Sequence, residues 1–347
     1  MPRLNTPLLF LIFNRPVETA RVFEVIRAQQ PKRLFVAADG PRLDRAGEAE
    51  IVRSVREIAT KVDWPCEVTT LFREENIGCG RAVSEAITWF FSQVEEGIIL
   101  EDDCLPHPVF FPHCESLLAR YRDEPRVASI AGTHFFPATL PHRQSHYASK
   151  YFQMWGWATW RRVWQQYDFK LGSLQPNEWF KLLQKTHPVA VEAGYWWEVF
   201  QALHAGSIDT WDFQMFFSCW KQGAVHLMPG KNLISNIGYG PGATHTNFYG
   251  QMANLPTQSL ELSANPIPLE PDPVIDSMIF YLRFLESMTH TWWVEQVLCP
   301  EQKLGQARIE LVQKTRRIRQ LENEILDKRR QLLAATRALA QSAAPID

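Results

Sequence analysis

Three consecutive carboxylates, Glu101, Asp102 and Asp103, directly follow the apolar run 97–100. Three adjacent negative charges repel one another unless a cation lies beside them. Carboxylate oxygens are hard ligands that suit Mg²⁺ or Mn²⁺, and such sites commonly share the ion with substrate phosphates. The alternative interpretation is a solvated acidic turn or a helix cap. The triplet therefore predicts a Mn²⁺ or Mg²⁺ site if the fold brings further polar groups to it.

Three other polar clusters also follow apolar runs that are typical of buried strands. These clusters are Asn14-Arg15 after 8–13, Asp39-Gly40 after 33–38, and Arg73 with Asn76 after 66–72. Segments with helical spacing, at about 17–28, 46–61 and 81–94, separate the four runs. Strands that alternate with helices indicate right-handed crossovers and a parallel sheet. Ligands bind such sheets at the carboxyl ends of the strands, so all four clusters are predicted to line one site.

The second half of the chain is rich in tryptophan. Nine of the 13 tryptophans fall between Trp155 and Trp220. Aromatic faces stack on the apolar faces of sugar rings, and we interpret Trp155, Trp157 and Trp211 as such a platform. Core packing is the alternative for these three and the preferred interpretation for the others.

Four motifs together resemble the GT-A fold of nucleotide-sugar glycosyltransferases, and in particular a bacterial family related to family 2 glycosyltransferases. The motifs are Phe13-Asn14-Arg15-Pro16, Ala38-Asp39-Gly40, Asn76-Ile77-Gly78-Cys79-Gly80 and Leu100-Glu101-Asp102-Asp103. The Glu-Asp-Asp form is also similar to the animal β-1,2-N-acetylglucosaminyltransferases. The resemblance covers about residues 5–250. It implies an α/β, Rossmann-like fold with a mainly parallel sheet flanked by helices.

The resemblance also implies roles for individual residues. Asp103 is expected to bind the metal directly, and His245 to reach back to the metal or diphosphate from a glycine-rich loop. Glu101 and Asp102 are expected to face the sugar and ribose hydroxyls or to lie behind the metal ligands. The remaining residues expected around the nucleotide sugar are Asn14, Arg15, Asp39, Gly40, Arg73, Asn76, Gly78 and Arg81.

Simple chemistry supports several of these roles. Asp39 can accept a hydrogen bond from the uracil imide N–H, and an arginine offers two parallel donors to phosphate oxygens. The alternative for Arg15 and Arg73 is a surface ion pair.

An acidic pair, Asp209 and Asp212, precedes a predicted helix at 213–222. Inverting sugar transfer needs a carboxylate that removes the proton from the acceptor hydroxyl. By the resemblance that base is Asp212, with Asp209 as the second candidate; a helix cap is the alternative. The implied function is a metal-dependent, inverting glycosyltransferase. Its donor is a UDP-sugar, with UDP-N-acetylglucosamine as the leading candidate, and its acceptor a hydroxyl of a glycan, a lipid-linked sugar or a protein.

Two other functions remain open at this stage. A nucleotidyltransferase that makes nucleotide sugars is expected to carry a glycine-rich phosphate loop with a basic residue after the first strand. Asn14-Arg15-Pro16 contains no glycine, which disfavours that alternative. A non-catalytic nucleotide-binding or glycan-binding assembly module is the other alternative.

The chain is predicted to have three parts. Residues 1–250 form the GT-A domain, with a nucleotide-binding half at 1–150 and an acceptor half at 151–250. Residues 251–300 form a proline-rich strap and a docked helix, and residues 301–347 a long helix with a heptad repeat. The heptad positions within 304–339 are Leu304, Leu311, Ile318, Ile325, Leu332 and Leu339. That helix either assembles the chain into a homo-oligomer as a coiled coil or lies along the body.

The charge balance excludes some partners. With 36 basic and 38 acidic residues, the net charge of −2 gives no field that would gather nucleic acid. The apolar stretch 274–298 contains Arg283, Glu286, His290 and Glu295, which argues against a membrane span. None of the six cysteines forms a CxxC pair, which favours a reducing compartment. We therefore expect a cytoplasmic protein, with peripheral binding at the inner membrane face as the alternative.

Overall fold

A computed structural model of the chain describes residues 3–136, 145–239, 254–262 and 265–285. The chain divides into two compact units, Met1–Leu282 and Arg283–Asp347. His245, residues 301–347 and their heptad positions lie outside the described residues. The predictions made for them therefore stay predictions.

The first unit alternates strands and helices in its first half and is mainly helical between residues 161 and 221. The strands are β1 (Leu8–Ile12), β2 (Arg33–Ala38), β3 (Glu67–Phe72), β4 (Glu96–Glu101), β5 (Cys104–Pro106), β6 (Val127–Ala131), β7 (His146–Ser149), β8 (Trp157–Trp160), β9 (Val225–Pro229) and β10 (Ile234–Asn236). The helices are α1 (Pro16–Gln29), α2 (Glu48–Thr60), α3 (Cys79–Gln93), α4 (Phe110–Tyr121), α5 (Arg161–Trp164), α6 (Pro176–Thr186), α7 (Ala190–His204), α8 (Asp212–Lys221) and α9 (Pro273–Phe280), and a π-helical turn follows at Tyr281–Leu285.

Eight strands form the central sheet in the order β3-β2-β1-β4-β8-β6-β9-β7. The first four are parallel, as the alternating pattern predicts, and their helical crossovers explain why β1, β2 and β4 are buried along almost their whole length. The edge strand β3 is partly exposed. The predicted α/β class with a mainly parallel, helix-flanked sheet is confirmed.

Strand β8 enters this sheet between β4 and β6 and runs antiparallel to both. It carries Trp157, which is completely buried and stacks on Trp211 with ring centroids 5.8 Å apart. Trp211 is itself only 3 % exposed. The prediction that Trp157 and Trp211 form a sugar platform is therefore wrong, because their ring faces are covered by other aromatic side chains. Trp155, which precedes the strand, is partly exposed, and its role stays a prediction.

A second, two-stranded sheet lies directly after the carboxylate triplet. Its strands β5 and β10 pair in antiparallel fashion, with Cys104 opposite Asn236. The next residue, Ile237, donates its backbone N–H to the Asp103 carbonyl at 2.8 Å. A Cβ on Gly238 would lie 2.1 Å from Asp103 Oδ2, so only glycine permits this close approach. Residues 237 and 238 thus hold Asp103, the last residue of the triplet, in place.

Residues 254–262 and 265–272 contain no helix or strand, and α9 follows them. The buried Asp276 of α9 accepts hydrogen bonds from Ser149 Oγ at 2.6 Å and from the Lys150 N–H at 3.2 Å. These bonds attach α9 to the end of β7. None of the helices in the described ranges is both long and apolar enough to cross a membrane.

Trp157→Ala should lower the free energy of unfolding by about 3–5 kcal/mol, because it removes a fully buried aromatic side chain from the sheet. Leu43→Ala is the control: Leu43 is 99 % exposed, and its truncation should change that free energy by less than about 0.5 kcal/mol. Urea unfolding measures both. Equal effects of the two substitutions would contradict the core position of Trp157.

Candidate active site

The carboxyl ends of β1, β2 and β4 meet at one edge of the sheet. Leu11 of β1 pairs with Glu101 of β4, and Ile12 pairs with Ala38 of β2. The residues that follow these strands are therefore neighbours, although 87 residues separate Arg15 from Asp102 in the chain. Ala38 also pairs with Phe72 of β3, so the parallel register brings the ends of all four strands, and with them the four predicted polar clusters, to this edge.

Arg15 is the counterion of the triplet. Its Nη1 lies 3.4 Å from Asp102 Oδ1 and forms a short hydrogen bond with Asp103 Oδ2. The Phe13 backbone N–H donates to the other oxygen of Asp102 at 2.9 Å. The Arg15 side chain is 20 % exposed, so this is a largely buried ion pair and not a surface one.

The negative charge of the triplet exceeds what Arg15 neutralises. Burial raises the pKa of Asp102 to about 7, repulsion by Asp103 adds to the rise, and Arg15 and the Phe13 N–H oppose it. Burial also raises the pKa of Glu101 well above its usual range, with further contributions from Asp103, Asp102 and Asp212. No residue in the described ranges donates a hydrogen bond to the Glu101 side chain. A second positive charge at this edge would therefore be stabilising.

The donor set of the triplet fits a divalent cation that is shared with substrate. Within the described ranges no three His, Cys, Asp or Glu side chains converge closely enough to hold a metal ion by themselves. Magnesium-type sites, however, usually combine one or two carboxylates with water and substrate phosphates. Asp103, whose side chain is 13 % exposed, and Glu101, which is partly exposed, are the carboxylates available for such a site.

Asp39 holds the loop that follows β3. Its carboxylate accepts the Gly40 N–H at 2.9 Å and the Ile77 N–H at 3.1 Å, and Asn76 Nδ2 donates to the Gly40 carbonyl at 2.9 Å. A Cβ on Gly40 would lie 2.3 Å from the backbone of Glu75, so glycine is needed for the two loops to touch. Burial raises the pKa of Asp39, and these N–H donors partly offset the rise.

The two remaining arginines of the predicted set both bind Glu85. Arg73 Nη2 lies 2.8 Å and Arg81 Nη2 lies 3.0 Å from its carboxylate. The Arg73 side chain is 17 % exposed, and its charge lowers the pKa of Asp39, which places it beside the site. The Arg81 side chain is 61 % exposed. The structure gives Arg81 the role of a surface ion pair and does not bring it to the triplet.

Asp209 and Asp212, the acidic pair of the second half, have different roles. Asp209 accepts the backbone N–H groups of Cys79 and Gly80, both at 2.9 Å, and so caps the N-terminus of α3. The prediction that Asp209 is a catalytic base is not supported, since both of its oxygens are engaged in the cap. Asp212 begins α8, is partly exposed, and accepts a short hydrogen bond from Thr210 Oγ1. Its charge contributes to the raised pKa of Glu101, so it lies near the triplet.

Glu48, which positions Asn14, is not among the site residues predicted from the sequence. Glu48 accepts a hydrogen bond from Asn14 Nδ2 at 2.9 Å, pairs with Arg42, and is 5 % exposed. The hydrogen bond from Arg42 lowers its pKa to about 2. An acidic residue in the first turn of a helix is common, and the sequence carries no signal for a partner 34 residues away.

Tyr167 is also not among the site residues predicted from the sequence. Its hydroxyl donates to the Trp211 carbonyl at 2.8 Å, next to Asp212 in the chain. Burial and the charge of Asp212 raise the pKa of Tyr167 well above its usual range, so this phenol stays protonated. The neutral hydroxyl of Tyr167 therefore supports the backbone at Trp211, next to Asp212.

Glu48→Gln should lower the free energy of unfolding at pH 7 by roughly 1–3 kcal/mol, because a buried charge pair loses one partner. The lowered pKa means that the ionised Glu48 stabilises the fold above about pH 4.5, and that this contribution is lost as the pH falls toward about 2. Urea unfolding at pH 7 and pH 3 should therefore show a smaller effect at pH 3. The exposed Glu50 of the same helix supplies the control, Glu50→Gln. If Glu48→Gln had the same effect at both pH values, the lowered pKa of Glu48 and its ion pair with Arg42 would be contradicted.

Comparison with known proteins adds structural likeness only. No family model and no curated protein matches this chain. A cytidylyltransferase from Leptospira borgpetersenii aligns at 12 % identity and a TM-score of 0.32, over 55 % of this chain and 72 % of its own. A 4-diphosphocytidyl-2C-methyl-D-erythritol synthase from Anaerococcus prevotii aligns at 13 % identity and a TM-score of 0.32, over 49 % of this chain and 78 % of its own. A UDP-glucose pyrophosphorylase complexed with UDP-glucose aligns at 11 % identity and a TM-score of 0.31, over 65 % of this chain and 90 % of its own. At these values the alignments carry no argument about function.

Proposed function

We propose that this chain is a glycosyltransferase that transfers a sugar from a UDP-sugar to an acceptor hydroxyl with the help of Mn²⁺ or Mg²⁺. The observation that carries the proposal is the carboxylate triplet at the carboxyl end of β4, paired with Arg15 and approached by Asp212 from the second half of the chain. UDP-N-acetylglucosamine is the first donor to test, and a glycan, a lipid-linked sugar or a protein is the proposed acceptor.

The charge of the triplet explains why a cation belongs to this proposal. A diphosphate would add negative charge to an edge where three carboxylates already face one guanidinium. Asp103 would hold the ion, with Glu101 beside it and His245 as a further proposed ligand. When bound, the divalent ion supplies charge stabilisation to the departing UDP.

The chain's own residues would perform the remaining tasks. Arg15 donates to acidic oxygens at the site and keeps Asp102 and Asp103 in place. Asp39, Gly40 and Asn76 form the wall on which the uridine is proposed to rest, and Arg73 adds positive charge beside it. The partly exposed Trp155, which contacts Phe135 and Tyr239 edge-on, is the aromatic ring proposed to face the sugar.

Asp212 is proposed to accept the proton of the acceptor hydroxyl. It comes from the opposite half of the domain to the nucleotide-binding residues, and its charge reaches Glu101. Inversion requires that this base act on the face of the sugar opposite to the departing diphosphate.

Sugar nucleotidyl transfer is the second candidate. The triplet and Arg15 suit a triphosphate as well as a diphosphate. The loop after β1 contains no glycine, and its basic residue, Arg15, is already engaged by two carboxylates. Consumption of UTP and a sugar 1-phosphate, without turnover of any UDP-sugar, would establish this candidate and overturn the glycosyltransferase proposal. Binding of UDP without turnover of either kind would favour the non-catalytic module.

Asp103→Asn should weaken the binding of Mn²⁺ in the presence of UDP at least about tenfold, because the direct carboxylate ligand is lost. Electron paramagnetic resonance counts free and bound Mn²⁺ in this titration. The exposed Asp44 provides the control, Asp44→Asn, which should bind Mn²⁺ like the wild type. Undiminished Mn²⁺ binding by the Asp103 variant would remove this residue from the metal site.

Asp212→Asn should leave the affinity for UDP intact while slowing the release of UDP from UDP-N-acetylglucosamine by about 10²–10⁴-fold, as expected when a general base is removed. The assay measures the UDP that is released when the sugar is transferred to water or to a glycan acceptor mixture. Asp123→Asn, at an exposed acidic residue, is the control. A fully active Asp212 variant would place the base elsewhere.

A further inference from the structure

Asp209 makes one of the contacts between the two halves of the first unit. Its two carboxylate oxygens each accept one backbone N–H at the start of α3, from Cys79 and Gly80. The cap residue of α3, Gly78, has no side chain that could satisfy these donors, so the cap comes from Asp209, which lies 130 positions after Cys79 in the chain. Helices are normally capped by a residue adjacent in sequence.

Two glycines make room for this contact. A Cβ on Gly78 would lie 2.7 Å from Asp209 Oδ2, and Gly78 has a positive φ of 86°. A Cβ on Gly80 would lie 2.7 Å from Asp209 Oδ1 and 2.8 Å from the Thr210 carbonyl. The Asn76-Ile77-Gly78-Cys79-Gly80 motif is therefore shaped to receive residues 209 and 210, and Asp39 holds the same loop from its other side through Ile77.

The contact continues along the chain to Asp212. Thr210 donates its hydroxyl to Asp212, and its carbonyl accepts Gln214 Nε2 at 2.7 Å. Trp211 is fixed between them by its stacking on Trp157 and by Tyr167. Each residue from 209 to 212 thus has a defined partner, and the start of this segment is attached to the nucleotide-binding half by Asp209.

We propose that Asp209 is a positioning residue: it holds the segment 209–212 on the N-terminus of α3 so that Asp212 faces the substrate. The inference rests on the proposed function, because it assigns to Asp209 an effect that acts through Asp212. Loss of the Asp209 contact should displace Asp212 and slow transfer while the nucleotide site keeps its carboxylates and Arg15.

The test compares two helix caps. Asp272 caps α9 by accepting the Val274 N–H at 2.8 Å and the Ile275 N–H at 3.3 Å, so Asp272→Ala is matched to Asp209→Ala in kind. Release of UDP from UDP-N-acetylglucosamine should fall by about 10–100-fold in the Asp209 variant and stay near the wild-type rate in the Asp272 variant. The Kd for UDP with Mn²⁺ should change less than about threefold in both.

A double-mutant cycle separates positioning from a general loss of structure. If Asp209 acts through Asp212, adding Asp209→Ala to Asp212→Asn should slow UDP release no further. Gly80→Ala, which pushes on the same contact, should reproduce the loss of turnover, and hydrogen exchange at the Cys79 and Gly80 amides should rise in the Asp209 variant.

The outcomes distinguish the two proposals. An Asp209 variant with wild-type turnover, or a double variant whose losses multiply, would overturn the positioning role. A slowing of UDP release in the Asp272 variant equal to that in the Asp209 variant would also overturn it. A fully active Asp212→Asn protein would place the base elsewhere and would also overturn the positioning role. The proposed function itself would instead be overturned if the wild-type chain released no UDP from any UDP-sugar.

Discussion

The ion pair between Arg15 and the carboxylates of Asp102 and Asp103 is the interaction on which the site depends. It joins the end of β1 to the end of β4 and makes three adjacent acidic residues tolerable in a largely buried place. One guanidinium does not balance the cluster: burial, together with repulsion between the carboxylates, raises the pKa values of Glu101 and Asp102. Strongly shifted pKa values are common at functional sites, and a cationic ligand would relieve this repulsion. The rest of the site surrounds this unbalanced charge.

The second half of the first unit completes the site through a few close contacts. Ile237 holds the backbone of Asp103, Gly238 lies against the Asp103 side chain, and Asp209 attaches the segment before α8 to α3. Strand β8 carries the aromatic core that supports Trp211, next to Asp212. These contacts bring residues that are more than 100 positions apart in the chain to one edge of the sheet, where the proposed reaction needs them.

The parallel part of the fold could be predicted because buried parallel strands have continuous apolar runs and end at polar turns. The start of α3 was placed at Arg81 instead of Cys79, since its cap, Asp209, is 130 positions away. The burial of Trp157 and Trp211 could not be predicted, because composition does not distinguish a ring in the core from one at a surface. Glu48 was missed for the same reason as Asp209: the contact with Asn14 is tertiary.

A calorimetric titration of UDP into the wild-type chain, once with Mn²⁺ and once with EDTA, tests the central claim most directly. The claim is that the strand-end carboxylates and Arg15 form a nucleotide site that is completed by a cation. It predicts micromolar binding with Mn²⁺, about −8 kcal/mol, and at least tenfold weaker binding in EDTA. Equal affinity under both conditions would contradict the role of the cation. No binding of UDP under either condition would mean that the carboxylates and Arg15 serve the fold and not a nucleotide.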